Sequence, residues 1–132
     1  MIETAPSRII QVNSEGHRFG GLKLDDLDWA KRRYRGLQGY GASKTAQLLT
    51  VWELADRLHG SGVTINAVHP GEGATNIGMN NGILYRWDQK YLLFPLLKDP
   101  RISGEAIYYF AAAPELSNKR GKFFNLTNEK KQ

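Results

Sequence analysis

Two short apolar runs bracket one long helix-forming segment, and this alternation limits the fold more than anything else in the chain. Arg8-Ile9-Ile10-Gln11-Val12-Asn13 follows Pro6 and ends in polar turn residues, as a buried strand does. Val63-Thr64-Ile65-Asn66-Ala67-Val68 repeats that signature. Between them, Tyr40 to His59 reads as the strongest helix, stopped by Gly60-Ser61-Gly62. Ser103 to Ala113 reads as a second helix, with Ser103 as N-cap, Glu105 in the first turn and Pro114 just past its end. Lys122-Phe123-Phe124-Asn125-Leu126 closes as a third strand. Strands alternating with helices predict parallel βαβ units in an α/β fold. Ser14 to Gly39 reads as a long polar connection with one helical turn near Asp25–Arg33.

The Tyr40–His59 helix carries Leu48, Trp52 and Ala55 at helical spacing, and Leu49, Val51, Leu54 and Leu58 widen the apolar surface around most of its circumference. A helix that is apolar nearly all round needs cover on two sides. One side can lie on the sheet; the other calls for a further helix or a second subunit. With no repeat, linker or low-complexity tract, residues 1–132 read as a single unit.

The net charge of +5 raises the question of a polyanionic partner, but the basic residues are scattered among carboxylates rather than gathered in a patch. The expectation is no nucleic acid partner. The chain has no cysteine, which excludes disulfides and thiol catalysis. Its longest apolar run, Tyr91 to Leu97, is broken by Pro95 and falls far short of the ~20 residues that span a bilayer. No basic n-region or apolar core marks the start, so the expectation is a cytoplasmic chain. His17, His59 and His69 share no metal-ligand spacing, and no metal site is expected. Val12-Asn13-Ser14-Glu15-Gly16 has valine where a nucleophile elbow begins with glycine, which argues against a serine hydrolase.

Tyr40 and Lys44 stand at i and i+4, on one face of the helix. A fixed ammonium favours a nearby phenolate and so suits a tyrosine to general acid–base work. Ser14 ends the first strand-like run, and open parallel sheets gather ligands outside the C-terminal ends of their strands. A hydroxyl there can hydrogen-bond a substrate oxygen.

In combination these residues resemble the C-terminal half of a short-chain dehydrogenase/reductase. The resemblance covers nearly the whole chain: Val12-Asn13-Ser14 with His17; Tyr40-Gly41-Ala42-Ser43-Lys44; Val63 through Val68 with His69-Pro70-Gly71; and Gly104-Glu105-Ala106 through Pro114-Glu115-Leu116 to Gly121-Lys122-Phe123-Phe124. The long gap between Ser14 and Tyr40, with Asp26-Leu27 inside it, is similar to that of the retinol-dehydrogenase-like and WW-domain-oxidoreductase-like branch. The resemblance implies a partial Rossmann-type, doubly wound parallel sheet, equivalent to the last three strands of a seven-stranded one. It also implies a left-handed last crossover, against the general rule.

By the same resemblance Tyr40 is the catalytic acid/base, Ser14 orients the substrate carbonyl or hydroxyl, and Lys44 binds the nicotinamide ribose. Pro70, Gly71 and Thr75 would face the nicotinamide of NAD or NADP. Asn13 stands where serine is common, and Glu72-Gly73 where a small or β-branched pair is usual. The aromatic stretch Met79–Leu97 corresponds to the variable substrate lid, which implies a lipophilic alcohol or carbonyl substrate. Contact of that stretch with a membrane surface is a lesser alternative.

The glycine-rich dinucleotide turn, Gly-x-x-x-Gly-x-Gly, is absent from these residues. An NAD(P)-dependent oxidoreductase fold without that turn is expected to be inactive by itself. Its first strand would lack an inner neighbour, and it would associate with itself or another partner through the Tyr40–His59 helix. The alternative is a noncatalytic truncated form or interaction module that retains this helix as a dimerisation surface.

Overall fold

A computed structural model describes residues 1–71 and 99–130. Strand β1, Ser7–Val12, pairs in parallel with β2, Val63–His69, in a register running from Ser7↔Val63 to Val12↔Val68. Strand β3, Phe123–Asn125, lies parallel on the other side of β2, and β4, Asn128–Lys130, folds back antiparallel beside β3. The sheet order is β1-β2-β3-β4. The three strands read from the sequence are present. The hairpin strand β4 is an addition, too short and polar to announce itself.

Helix α1 spans Gly36–Arg57, so it starts a turn before Tyr40 and stops short of His59. Helix α2 spans Pro100–Ala112, three residues earlier than expected. Its N-cap is Asp99, whose carboxylate accepts from Arg101 N at 2.8 Å, followed by proline in the first turn. Ser103 is therefore not the cap but lies inside the helix. The 14–39 connection forms a 3-10 helix at Glu15–Phe19, not a helical turn near Asp25–Arg33.

Alternation along the strands builds two cores. Ile65, Ala67 and Phe123 point to one face and pack with Leu48, Val51 and Ala55 of α1. Val68 and Phe124 point to the other and pack with Phe110, Ala113 and Leu116 of α2 and the short 3-10 turn Pro114–Leu116. The two helices thus cover opposite faces while the strands advance in one direction across the sheet. That geometry makes the two crossovers opposite in hand, so one departs from the right-handed rule, in keeping with the resemblance.

Two polar side chains fasten this frame. Arg8 Nη1 donates to the carbonyls of Phe110 and Ala111 at 3.1 and 3.2 Å, and Nη2 to Ser117 Oγ at 2.9 Å. A cation on the last carbonyls of α2 satisfies groups the helix cannot pair itself and complements its dipole. Buried Asn66 holds the connection into β3, donating to Lys119 O at 2.8 Å and accepting from Lys122 N at 3.1 Å.

The outer side of α1 is uncovered: Leu37 is 66% exposed and Leu49 43%. Among the described strands β1 has a neighbour on one side only. No helix of the described residues is long and apolar enough to cross a membrane.

Asn66→Ala should remove two side-chain bonds to the backbone leading into β3 and cost about 1–3 kcal/mol in urea unfolding. Exposed Glu105→Ala should stay within about 0.5 kcal/mol. Equal effects from the two would sink the bracketing role given to Asn66.

Candidate active site

Parallel pairing in this register carries Asn13-Ser14, His69-Pro70-Gly71 and Asn125 to the same edge of the sheet. Asn13 N donates to Val68 O at 2.8 Å, which extends the ladder by one residue and sets Ser14 just outside it. Buried Asn13 also donates its side-chain amide to Lys44 O at 3.1 Å and accepts from Ser14 N. One side chain therefore ties the end of β1 to the turn of α1 that carries Lys44. Asn13 stood out in the sequence only as a departure from serine; its bracing role could not be seen there.

Ser14 caps the 3-10 helix, its Oγ accepting from Gly16 N at 3.0 Å. That bond occupies an acceptor position and leaves the hydroxyl proton to be presented elsewhere. The Ser14 carbonyl is held by His17, through its N–H at 3.3 Å and with ring Nδ1 at 2.9 Å. The imidazole packs edge-on against Phe123, with centroids 5.1 Å apart.

Gly16 is the floor under Tyr40. A Cβ there would run into the Tyr40 ring and lie 3.2 Å from Ser14 Oγ. The absence of a side chain is what brings the phenol ring and the serine hydroxyl around one small residue. Gly41 does the same one step along the helix, where a Cβ would lie 2.5 Å from Gly20 O. Gly16 and Gly20 serve helix packing here.

Tyr40 is 42% exposed, and Lys44 Nζ lies 5.6 Å from its ring centroid, on the same face as i, i+4 spacing requires. Lys44 Nζ donates to Gln47 Oε1 at 3.0 Å. Pro70 offers its carbonyl to Ser103 Oγ at 2.7 Å, which ties the exit of β2 to α2 and explains what Ser103 does in place of capping. Gly71 follows at φ +83°, a conformation suited to glycine, close against Leu126. Thr75, Glu72-Gly73 and the Met79–Leu97 stretch lie outside the described residues.

Glu15, absent from the expected site, binds the turn to the sheet: its carboxylate accepts from Asn125 Nδ2 at 3.0 Å and pairs with Arg18 at 2.7 Å. Burial opposes its ionisation. The Asn125 hydrogen bond and the charges of Arg18, His17 and His69 outweigh that opposition and lower its pKa below 4.5. Among the described residues no group of three or more His, Asp or Glu could hold a metal ion.

No family model matches the chain. Retinol dehydrogenase 13 of Mus musculus is 39% identical over 131 residues, covering 96% of this chain and 39% of that protein. WW domain-containing oxidoreductase of Pongo abelii is 37% identical over 136 residues, covering 95% and 32%. A solved structure of an uncharacterised protein from Mycobacterium paratuberculosis superposes with TM-score 0.63 at 28% identity, over 90% of this chain and 37% of its own. A short chain dehydrogenase from Burkholderia cenocepacia, solved with NADP, gives TM-score 0.58 at 20% identity, over 92% and 44%. The homologues of this chain are thus retinol dehydrogenases and WW domain oxidoreductase, of the short-chain dehydrogenase/reductase family, and its fold is that of short-chain dehydrogenases. The chain spans about two fifths of the length of the retinol dehydrogenases it matches.

Gly16→Ala should push the Tyr40 ring off its floor and change the near-ultraviolet tyrosine signal while leaving the far-ultraviolet helix signal in place; an unaltered tyrosine signal would refute the packing. Glu15 has a lower pKa folded than unfolded, so its contribution to stability is present above about pH 4.5 and is lost as pH falls through the folded value. Glu15→Gln should accordingly flatten the acid side of a melting-temperature profile between pH 6 and pH 3 and leave its neutral-to-alkaline side parallel to the parent.

Proposed function

We propose that this chain carries the catalytic half of an NAD(P)-dependent oxidoreductase that moves a hydride between nicotinamide and an alcohol or carbonyl. The supporting observation is the cluster at the sheet edge: Ser14 with its proton to donate, the Tyr40 ring over Gly16, and Lys44 on the same helical face. In this reading Ser14 Oγ donates to the substrate oxygen and fixes its position. The Tyr40 hydroxyl gives that oxygen a proton on reduction and takes one on oxidation, at hydrogen-bonding distance. Lys44 stands one turn along the same helical face, with its ammonium 5.6 Å from the centre of the phenol ring.

These residues fit the nicotinamide end of the cofactor. Lys44 would exchange Gln47 for the ribose hydroxyls, and the Pro70-Gly71 turn would border the ring. When bound, the cofactor supplies or accepts the hydride. The other end is not served. β1 runs into a 3-10 turn rather than a glycine-rich turn opening a long helix, and that glycine pattern occurs nowhere in the sequence. Dinucleotide binding by this chain should then be weak and rest on the nicotinamide end, and turnover by the chain alone should be undetectable. The naming of several relatives as retinol dehydrogenases supports a lipophilic alcohol or aldehyde as substrate.

The exposed apolar side chains of α1 favour a second reading, in which the chain acts by association through this helix, with itself or another partner. Titration of the chain with NADPH and NADH, followed by nucleotide fluorescence, separates the two. Saturable binding that Lys44→Ala weakens about tenfold, as loss of a charged hydrogen bond predicts, supports the oxidoreductase. Absence of binding, together with a sedimentation coefficient that rises with concentration and is lowered by Leu49→Glu, supports the second.

A further inference from the structure

The connection between Ser14 and Tyr40 contains an ordered cluster that the catalytic reading leaves unused. At its centre Asp26 is only 4% exposed, the only buried charged residue among those described. Its Oδ1 accepts from Lys31 N at 2.9 Å, and its Oδ2 lies 3.1 Å from Arg32 Nε. The Arg32 guanidinium sits over the Trp29 ring, 3.6 Å from its centroid. Trp29 in turn meets Tyr34 edge-on, with centroids 5.3 Å apart. Tyr34 lies across Gly39 so closely that a Cβ there would be 2.8 Å from its hydroxyl oxygen. The next residue is Tyr40.

Two features say that this path does more than fill space. Trp29 has φ +61°, a left-handed conformation that costs a bulky residue and persists only where its surroundings hold it. Helix α1 also begins without help: its N-cap, Arg35, makes no side-chain cap bond, and its first turn has no acidic residue. The first turn of α1 is therefore held by what packs on it, and at Gly39 that is Tyr34.

We propose that Asp26, Arg32, Trp29 and Tyr34 form a latch that positions Tyr40, with the ion pair of buried Asp26 and half-buried Arg32 locking Trp29, and Trp29 backing Tyr34 onto Gly39. The latch and the Gly16 floor hold Tyr40 from two directions, one through the backbone ahead of it and one under its ring. These four are positioning residues, and that description rests on the role assigned to Tyr40 above.

The test reads the Tyr40 ring itself. In the full chain labelled with carbon-13 in its tyrosine rings, the Tyr40 resonance is assigned by its loss in Tyr40→Phe. Arg32→Gln, which breaks the lock at a side chain other than those packed on the Tyr40 turn, should move that resonance by more than a linewidth, with Tyr108 and Tyr109 unmoved. Arg32→Lys, which keeps a cation between Asp26 and Trp29, should return it most of the way. If Arg32→Gln does not fold, Trp29→Gly takes its place, since glycine accepts the left-handed backbone without strain while removing the indole. A Tyr40 resonance that stays in place in whichever variant folds, with only the melting temperature falling, overturns the latch. The readout needs neither nucleotide nor turnover. A chain that binds no NADPH yet shows the shift would count against the oxidoreductase reading alone.

Discussion

The closeness of α1 to the turn after β1 governs this structure. Helices ordinarily pack with axes 8–10 Å apart because side chains stand between them. Here Gly41 brings backbone against the Gly20 backbone, and Gly16 brings backbone against the Tyr40 ring. Thr45 adds a hydroxyl bond to His17 O at 3.3 Å, and Asn13 adds its amide bond to Lys44 O. These contacts turn a strand end and a helix into one rigid corner. Ser14 and Tyr40, far apart in sequence, are neighbours because that corner has no room to open.

The same sheet has two unlike edges, and the contrast carries a physical message. β4 is three residues long, Asn-Glu-Lys, fully exposed and charged, which is how an edge that meets water is protected. β1 is six residues long and contains Ile9, Ile10 and Val12, with Arg8 its one charged residue. Its N–H groups alternate: Ser7 and Asn13 donate toward β2, so Arg8, Ile10 and Val12, which share the other parity, turn theirs outward. Parallel sheets are normally covered on both faces and continued at such edges. Apolar surface left open there forgoes roughly 25 cal/mol per Å² of burial. The described residues accordingly hold the corner of Ser14 and Tyr40 by close contacts and leave β1 with a neighbour on one side only.

How far the residues spoke for themselves follows from how local each feature is. Strand and helix identity rests on periodicity within a short window, so β1, β2, β3 and both helices were legible from apolar spacing. The start of α2 was misplaced because Ser103 competes as a cap with Asp99-Pro100, and only the backbone decides between them. The Tyr40–Lys44 face needed nothing beyond helical spacing. Asn13, Glu15 and Asn125 were illegible as site residues because their partners lie on other elements, and hydrogen bonds across a sheet edge leave no periodic trace. The Asp26–Arg32–Trp29 cluster leaves no pattern beyond that of a polar connection, since a loop organised by one buried carboxylate has no repeat to detect.

Positioning and affinity are therefore separable in this chain. Three contacts around Tyr40 and Ser14 are made among the described residues: the Gly16 floor, the Asn13 bracket, and Tyr34 on Gly39. None of them requires a nucleotide, and none lies on the open edge of β1. Catalytic gain depends on groups held where the transition state needs them, whereas binding gain depends on contacts to the remote, non-reacting parts of cofactor and substrate. On the function proposed above, the described residues would supply the first, and a phosphate-binding turn beside β1 would be needed for the second.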